Sequence, residues 1–385
     1  MKFILGDPLV YWILKFITFF ALLYSGYKIS FKLDENNSKQ YWRYSLPALI
    51  IYSLNYGLRW NRSYDYYHYY LDLTSDNLWT DYDEPLYLLW IDFFKFTELP
   101  YWVAFIFYSA ILMYGFMLLL KKYPKAAVWA LPLFFILPSN VDNFVRQYFA
   151  TAFVFIGLYY LLEDKYKRSF LNFTLAILIH LSALFAVFLI IIFKFVNIQK
   201  IIRTPWLLIV LYLLLYVFWD VSNLGFFATY LQLVNIGDSN FQGYIDNSEV
   251  WFTEDGDINT KLGVSGVGYF SAFSALIYRF VTCFVLYYGY KLLQFDRKTS
   301  ILYWSTVVSV FIGAVGGSIE IFSRFVCWTV IYEPLIIGLI INSLGIPRMS
   351  RKIFIILVLF YFYGIQFVWG ISKLSPLGYA FIWDL

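Results

Sequence analysis

Apolar residues in this chain come in long unbroken runs. Stretches such as FVFIGLYYLL and LLIVLYLLLYVFW belong to runs of roughly 15–22 residues, separated by short charged segments. A helix needs about 20 apolar residues to cross the hydrocarbon core of a bilayer. A transmembrane barrel would alternate apolar and polar residues over about 10 residues per strand, and these runs do not alternate. Of 385 residues, 61% are hydrophobic and 14% charged, against about 25% charged in a soluble domain. The pattern predicts an all-α polytopic membrane protein.

Twelve spans are expected, near 9–27, 44–58, 101–120, 126–138, 144–162, 169–181, 183–195, 206–220, 268–290, 300–317, 324–343 and 353–370. The first carries Lys15 and is followed by no small-x-small cleavage site, so it reads as a retained helix and not a signal peptide. Segment 85–96, PLYLLWIDFFKF, is too short to span and reads as an interfacial or re-entrant helix. No internal repeat breaks the chain, which reads as one membrane domain over residues 1–385. Cys283 and Cys327 lie inside apolar runs and read as packing residues.

Sidedness follows from the loops. Those after odd-numbered spans hold nineteen Lys and Arg, including Lys121, Lys122, Lys125, Arg348, Arg351 and Lys352, while the opposite side holds eight. The basic side is the cytoplasmic side. Both termini then lie outside, as do two long loops, 59–100 and 221–267, rich in acids, Tyr and Trp.

Four arginines stand on the outer side against this bias: Arg59, Arg62, Arg146 and Arg324. Arg146 and Arg324 each begin a span that runs inward. A helix N-terminus there favours anions, and guanidinium matches phosphate oxygens two at a time. The set reads as a clamp for phosphate or pyrophosphate. Snorkelling, or pairing with Asp142, Asp65 or Glu320, is the structural alternative. The loop GLRWNRSYDYYHYYLDL combines aromatics with acids, as a sugar groove needs, although an interfacial belt is aromatic too. Glu84 precedes Pro85 at a helix start, where helix capping is the simpler reading. His180 lies in the apolar LAILIHLSALFAV, where a polar residue is costly and its imidazole can accept a hydroxyl proton. Ser182 follows it as a helix cap or substrate contact. Arg279 and Glu333, inside spans, are expected to pair. No P-loop, dinucleotide fingerprint, metal-ligand cluster or G-x-S-x-G occurs. GAVGGS at 313–318 reads as close helix packing.

Five stretches in this order carry a resemblance: GLRWNRSYDYYHYY (57–70), EPLYLLWIDFFK (84–95), NFVRQYFATAFVF (143–155), KRSFLNFTLAILIHLSAL (167–184) and SRFVCWTVIYEPL (323–335). Together they resemble the EpsG-like branch of the Wzy polysaccharide polymerases. In one place the chain departs from that pattern: Ser63 stands where the family often has glycine. The resemblance implies a GT-C-like helical enzyme of the bacterial cytoplasmic membrane. Such an enzyme joins oligosaccharide repeat units carried on undecaprenyl pyrophosphate, at the periplasmic face. Its partners are lipid-linked donor and acceptor, the bilayer and a chain-length regulator. No nucleic acid, metal, nucleotide or other cofactor is implied. On this reading Arg146 and Arg324 bind the donor pyrophosphate, with Arg59 assisting. His180 is the general base, with Asp65 and Glu84 as rivals. Gln147, Arg62, Tyr66 and Ser182 contact substrate. A glycan ligase needs the same clamp, and a flippase of lipid-linked sugars remains the alternative outside enzymes. A flippase needs a polar path and often shows repeats; here the charge lies on one face.

Overall fold

The computed structural model describes residues 6–34, 37–63, 65–76, 78, 83–137, 141–219, 269–293, 297–316, 320–343, 345–372 and 379–384. Among these it is helical throughout, apart from an isolated bridge between Arg59 and Phe381. The expected outer loop 221–267 lies outside the described residues. The chain divides into two compact units, Met1–Ile192 with Pro334–Leu385, and Phe193–Glu333.

The first unit begins with α1 (Pro8–Lys32), whose start is set by Pro8 and by Asp7, which accepts the Leu9 N–H at 2.8 Å. α2 (Ser38–Gly57) is capped by Asn37 through the Gln40 N–H at 3.0 Å. Then follow α3 (Tyr66–Thr74), α4 (Pro85–Thr97), α5 (Tyr101–Leu120), α6 (Ala127–Ile136), α7 (Val145–Leu162), α8 (Tyr166–Ile179) and α9 (Ala183–Phe195). α1 packs on α2 and α6, α2 on α5, and α7 on α5 and α8.

Small residues set the closest approaches. A Cβ on Gly115 of α5 would meet the Ala152 carbonyl of α7 at 2.6 Å, and one on Gly26 of α1 would meet the Ala127 carbonyl at 2.6 Å. Polar side chains join α2 to α1. Asn55 Nδ2 donates to Thr18 Oγ1 at 2.6 Å, and Ser25 Oγ accepts from the Ala48 N–H at 3.2 Å, just past Pro47. Asn55 Nδ2, Thr18 Oγ1 and Ser25 Oγ thus find partners inside the protein, as a membrane interior favours.

In the second unit α10 (Pro205–Phe218) packs on α11 (Tyr269–Leu292) and α12 (Ser300–Gly316), and α12 on α13 (Glu320–Val330). Tyr290 donates to the Ile202 carbonyl at 2.8 Å and Tyr303 to that of Leu286 at 2.7 Å. The expected Arg279–Glu333 pair does not form. Arg279 lies 3.2 Å over the Tyr216 ring, and Glu333 hydrogen-bonds with Tyr278. An aromatic face serves a guanidinium well without a counterion. A Cβ on Gly316 would meet the Phe322 ring at 2.7 Å, a close approach at that position; residues 317 and 318 of the expected packing segment lie outside the described residues.

After the second unit come α14 (Glu333–Asn342) and α15 (Arg348–Val358), the latter continued by wider turns over Leu359–Trp369. The described part of each expected span falls mainly on helix, with 324–343 divided between α13 and α14. Among the described residues six helices qualify by length and hydropathy: Pro8–Lys32, Tyr101–Leu120, Val145–Leu162, Ala272–Leu292, Phe322–Asn342 and Arg348–Trp369. Four more are apolar but shorter: Pro124–Ile136, Ala183–Phe195, Pro205–Phe218 and Ser300–Gly316. α2 carries Ser45, Ser53 and Asn55 on its buried face, and α8 has only 14 residues. By length and composition these helices mark a membrane-embedded, all-helical protein.

Loops gather at two opposite ends of the first unit. Lys122 pairs with Glu163, Lys121 donates to Ser38 at 2.8 Å, and Ser30 donates to the Pro124 carbonyl at 3.1 Å. These join the loops expected to be cytoplasmic. Residues 58–63, 65, 84, 141–146 and 180–181 meet at the other end, since α7 separates Arg146 from Glu163.

Candidate active site

Two clusters occupy that second end. The first anchors the start of α7. Arg59 is 2% exposed. Its Nε meets Asp142 Oδ1 at 2.9 Å, its Nη2 donates to the Asp142 carbonyl at 3.1 Å, and Nη1 donates to the Tyr56 carbonyl. Ser63 Oγ donates to the same Asp142 carbonyl at 2.7 Å. Asp65 and Asn143 exchange bonds: Asn143 Oδ1 accepts from the Asp65 N–H at 2.9 Å and Asn143 Nδ2 donates to Asp65 Oδ2 at 3.2 Å. Tyr66, fully buried, donates to the Arg59 carbonyl at 2.8 Å and stacks on Phe105. The loop turns at Asn61, with φ +44°, a left-handed conformation that asparagine tolerates. Ser63 therefore needs no glycine freedom, because the positive φ sits two residues earlier.

Burial pushes the Asp142 carboxyl up, but Arg59, Lys15 and Arg62 more than offset this and hold it below the ordinary carboxylate range. Asp142→Ala would strand a buried guanidinium, which costs about 3–5 kcal/mol. The expected outcome is a large drop in unfolding temperature in detergent. An unchanged unfolding temperature would show that Arg59 does not depend on Asp142.

These contacts bear on two expectations. Arg59 faces protein oxygens at full burial, an arrangement that supports a structural cation over a phosphate ligand. Tyr66 is part of the packed core, which supports a structural role over a substrate contact. Arg62 is also buried; it donates to the Asn55 carbonyl at 3.1 Å and lies between the rings of Tyr11 and Phe381, at 5.3 and 4.5 Å. It ties in the C-terminal strap, where the Trp60 N–H donates to the Ala380 carbonyl at 2.8 Å.

The second cluster joins three residues singled out from sequence. Glu84 stands before Pro85 at the start of α4, but its side chain does not cap that helix. Its Oε2 meets Arg146 Nη1 at 2.8 Å. Its Oε1 meets His180 Nδ1 at 3.1 Å and accepts from the Leu181 N–H at 3.3 Å. The capping alternative for Glu84 is thereby overturned. Arg146 also lies over the Tyr87 ring at 5.4 Å. His180 closes α8 in an extended conformation, with φ −155° and ψ 111°, so the helix break aims it sideways at Glu84. Side-chain exposures of 17% for Arg146, 14% for His180 and 11% for Glu84 leave the cluster at the edge of the packed unit. Arg59 at 2% marks the contrast.

A carboxylate only accepts hydrogen bonds, so its contact fixes the proton of a neutral His180 on Nδ1 and the lone pair on Nε2. Burial raises the Glu84 carboxyl, but the His180 hydrogen bond and the Arg146 charge hold it below its ordinary value of 4.5. The resulting stabilisation is complete above that value and is lost as pH falls through the lower folded one. Wild type and Glu84→Gln should therefore differ most in unfolding temperature near neutral pH and converge on acidification below about 4.5. A gap that stays constant with pH would contradict an ionised Glu84.

Gln147 is buried next to Arg146, and Ser182 directly precedes α9 in the turn that carries His180. Arg324 lies on α13 in the second unit. Among the described residues no three His, Cys, Asp or Glu side chains gather as a metal site would require. Sequence reasoning did not single out Asn143 or Tyr87. The only signal for Asn143 was its place directly before the helix that bears Arg146.

Apolar helices of spanning length, with an ion-linked carboxylate, arginine and histidine where loops converge at one end, define a polytopic membrane protein with a polar site at its helix ends. The chain belongs to the EpsG family, whose model it matches over residues 42–381. Membership supports a polysaccharide-polymerase-like role. No curated protein and no solved structure matches it significantly.

Proposed function

We propose that this chain is a glycosyltransferase that joins oligosaccharide repeat units carried on undecaprenyl pyrophosphate, at the outer face of the bacterial cytoplasmic membrane. The observation that carries the reading is Glu84 bridging Arg146 and His180, at 2.8 and 3.1 Å. Glycan transfer from such a donor needs two things: stabilisation of a departing diphosphate, and a base for the acceptor hydroxyl. Fixed guanidinium charge in a water-poor site supplies the first, and an oriented imidazole the second.

The acceptor hydroxyl oxygen forms a bond to the anomeric carbon of the donor glycan. The bond from that carbon to the pyrophosphate oxygen breaks, and the lipid pyrophosphate leaves with its electron pair. His180 Nε2 takes the hydroxyl proton, while Glu84 holds the imidazole and balances the imidazolium that forms. Arg146 binds the pyrophosphate oxygens. Gln147 and Ser182 are assigned to substrate contact, and Asp65 acts through Asn143 as an anchor for the start of α7. Arg324 is a separate proposed phosphate ligand, tested by loss of chain growth in Arg324→Lys.

Outward orientation is supported by the basic loops at the opposite end of the first unit. Mass spectrometry of lipid-linked glycans from a strain lacking the chain tests the reading. Single repeat units should accumulate on the lipid carrier while polymer disappears. Full-length polymer held on the lipid carrier would instead indicate a ligase. Units trapped on the cytoplasmic face would indicate a flippase.

A further inference from the structure

Glu84 is shared between two partners. Oε2 takes Arg146 Nη1 at 2.8 Å, while Oε1 takes His180 Nδ1 at 3.1 Å and the Leu181 N–H at 3.3 Å. Each partner thus draws on one negative charge. A diphosphate carries more charge than a carboxylate and presents paired oxygens that fit the guanidinium fork. It also meets the positive end of the helix dipole at the start of α7. Arg146 has a second support for such a move in the Tyr87 ring, 5.4 Å away.

We propose that a diphosphate arriving at Arg146 opens the Arg146–Glu84 ion pair and leaves the carboxylate to His180, so that donor binding itself prepares the base. This rests on the polymerase reading and adds an order of events to it. While Glu84 is shared, His180 is the weaker base. Once the donor is seated, the imidazole faces an undivided carboxylate and takes a proton more readily. The acceptor hydroxyl is then activated only beside a bound donor. Among the described residues, Glu84 from the start of α4 faces the imidazole and Arg146 from α7 stands behind it, and α8 packs on both of those helices.

The chain has two histidines, so ¹³C-labelled histidine, with His68→Gln for assignment, isolates the His180 signal in the full chain in detergent. Its titration is followed with and without millimolar inorganic pyrophosphate. The expected result is a rise in proton affinity of about tenfold, one pH unit, absent in Arg146→Ala. Direct attraction between the bound anion and the imidazole would also produce a rise. Glu84→Gln separates the two causes: the exchange predicts that most of the rise disappears, whereas direct attraction leaves it whole. Glu84→Asp, too short to bridge both partners, is a second variant with the same predicted loss should Glu84→Gln fail to fold.

An undiminished rise in either variant overturns the exchange, as does the lack of any wild-type response to pyrophosphate. Chain elongation by the same preparations tells the two failures apart. Elongation that needs Arg146 and His180, together with a rise independent of Glu84, removes the exchange and leaves the polymerase reading standing. Elongation indifferent to both residues removes the polymerase reading itself.

Discussion

A His180→Ala chain is expected to bind lipid-linked donor and to lose chain growth by about 10²–10⁴-fold, the contribution of a positioned general base. The reason is geometric. Glu84 Oε1 holds Nδ1 at 3.1 Å, which turns the opposite ring nitrogen into the proton acceptor. The helix break at His180 delivers the ring without relying on a flexible side chain. Removing the imidazole leaves Arg146 and Glu84 paired, so donor binding and protein level should hold. An active alanine variant would remove His180 as the base and move that role to Glu84 or Asp65.

Arg146→Lys is expected to lower chain growth by about 10²–10³-fold, the loss seen when one fixed donor to a developing anion is removed. Lysine keeps the charge and can still pair with Glu84, so the fold should survive. It loses the planar fork that grips two oxygens of a diphosphate together. Protein level and unfolding temperature separate this outcome from simple destabilisation. Normal glycan length in the lysine variant would contradict a bidentate pyrophosphate contact at Arg146.

Local sequence carried the helices well. The described parts of the twelve apolar stretches are mainly helical because continuous apolar runs bury only as helices in a bilayer. The EPLYLL segment is a helix, α4, at Pro85–Thr97, because Pro85 starts it and Glu98 ends it in a left-handed conformation. The site was legible as residue types at span ends, but not as a constellation. Glu84 is 62 residues from Arg146 and 96 from His180, and no local pattern encodes a meeting at that separation.

Arg59 and Arg146 show where local pattern stops discriminating. Both are outward arginines at span ends and look alike in sequence. What divides them is counterion placement: Asp142 and two backbone carbonyls enclose Arg59, whereas Glu84 holds Arg146 at the edge of the packed unit. Likewise, the absent Arg279–Glu333 pair depends on Tyr216 and Tyr278 lying nearer, which packing decides and spacing does not.

The most direct test of glycan joining at the Glu84–Arg146–His180 cluster uses the purified full chain in detergent with synthetic lipid-linked repeat units, followed by mass spectrometry of the products. Wild type should yield lipid-linked glycans of two and more units and release the lipid pyrophosphate, while His180→Ala and Arg146→Lys should leave single units. Wild type that never extends the units, or variants that extend them as fast as wild type, would contradict it.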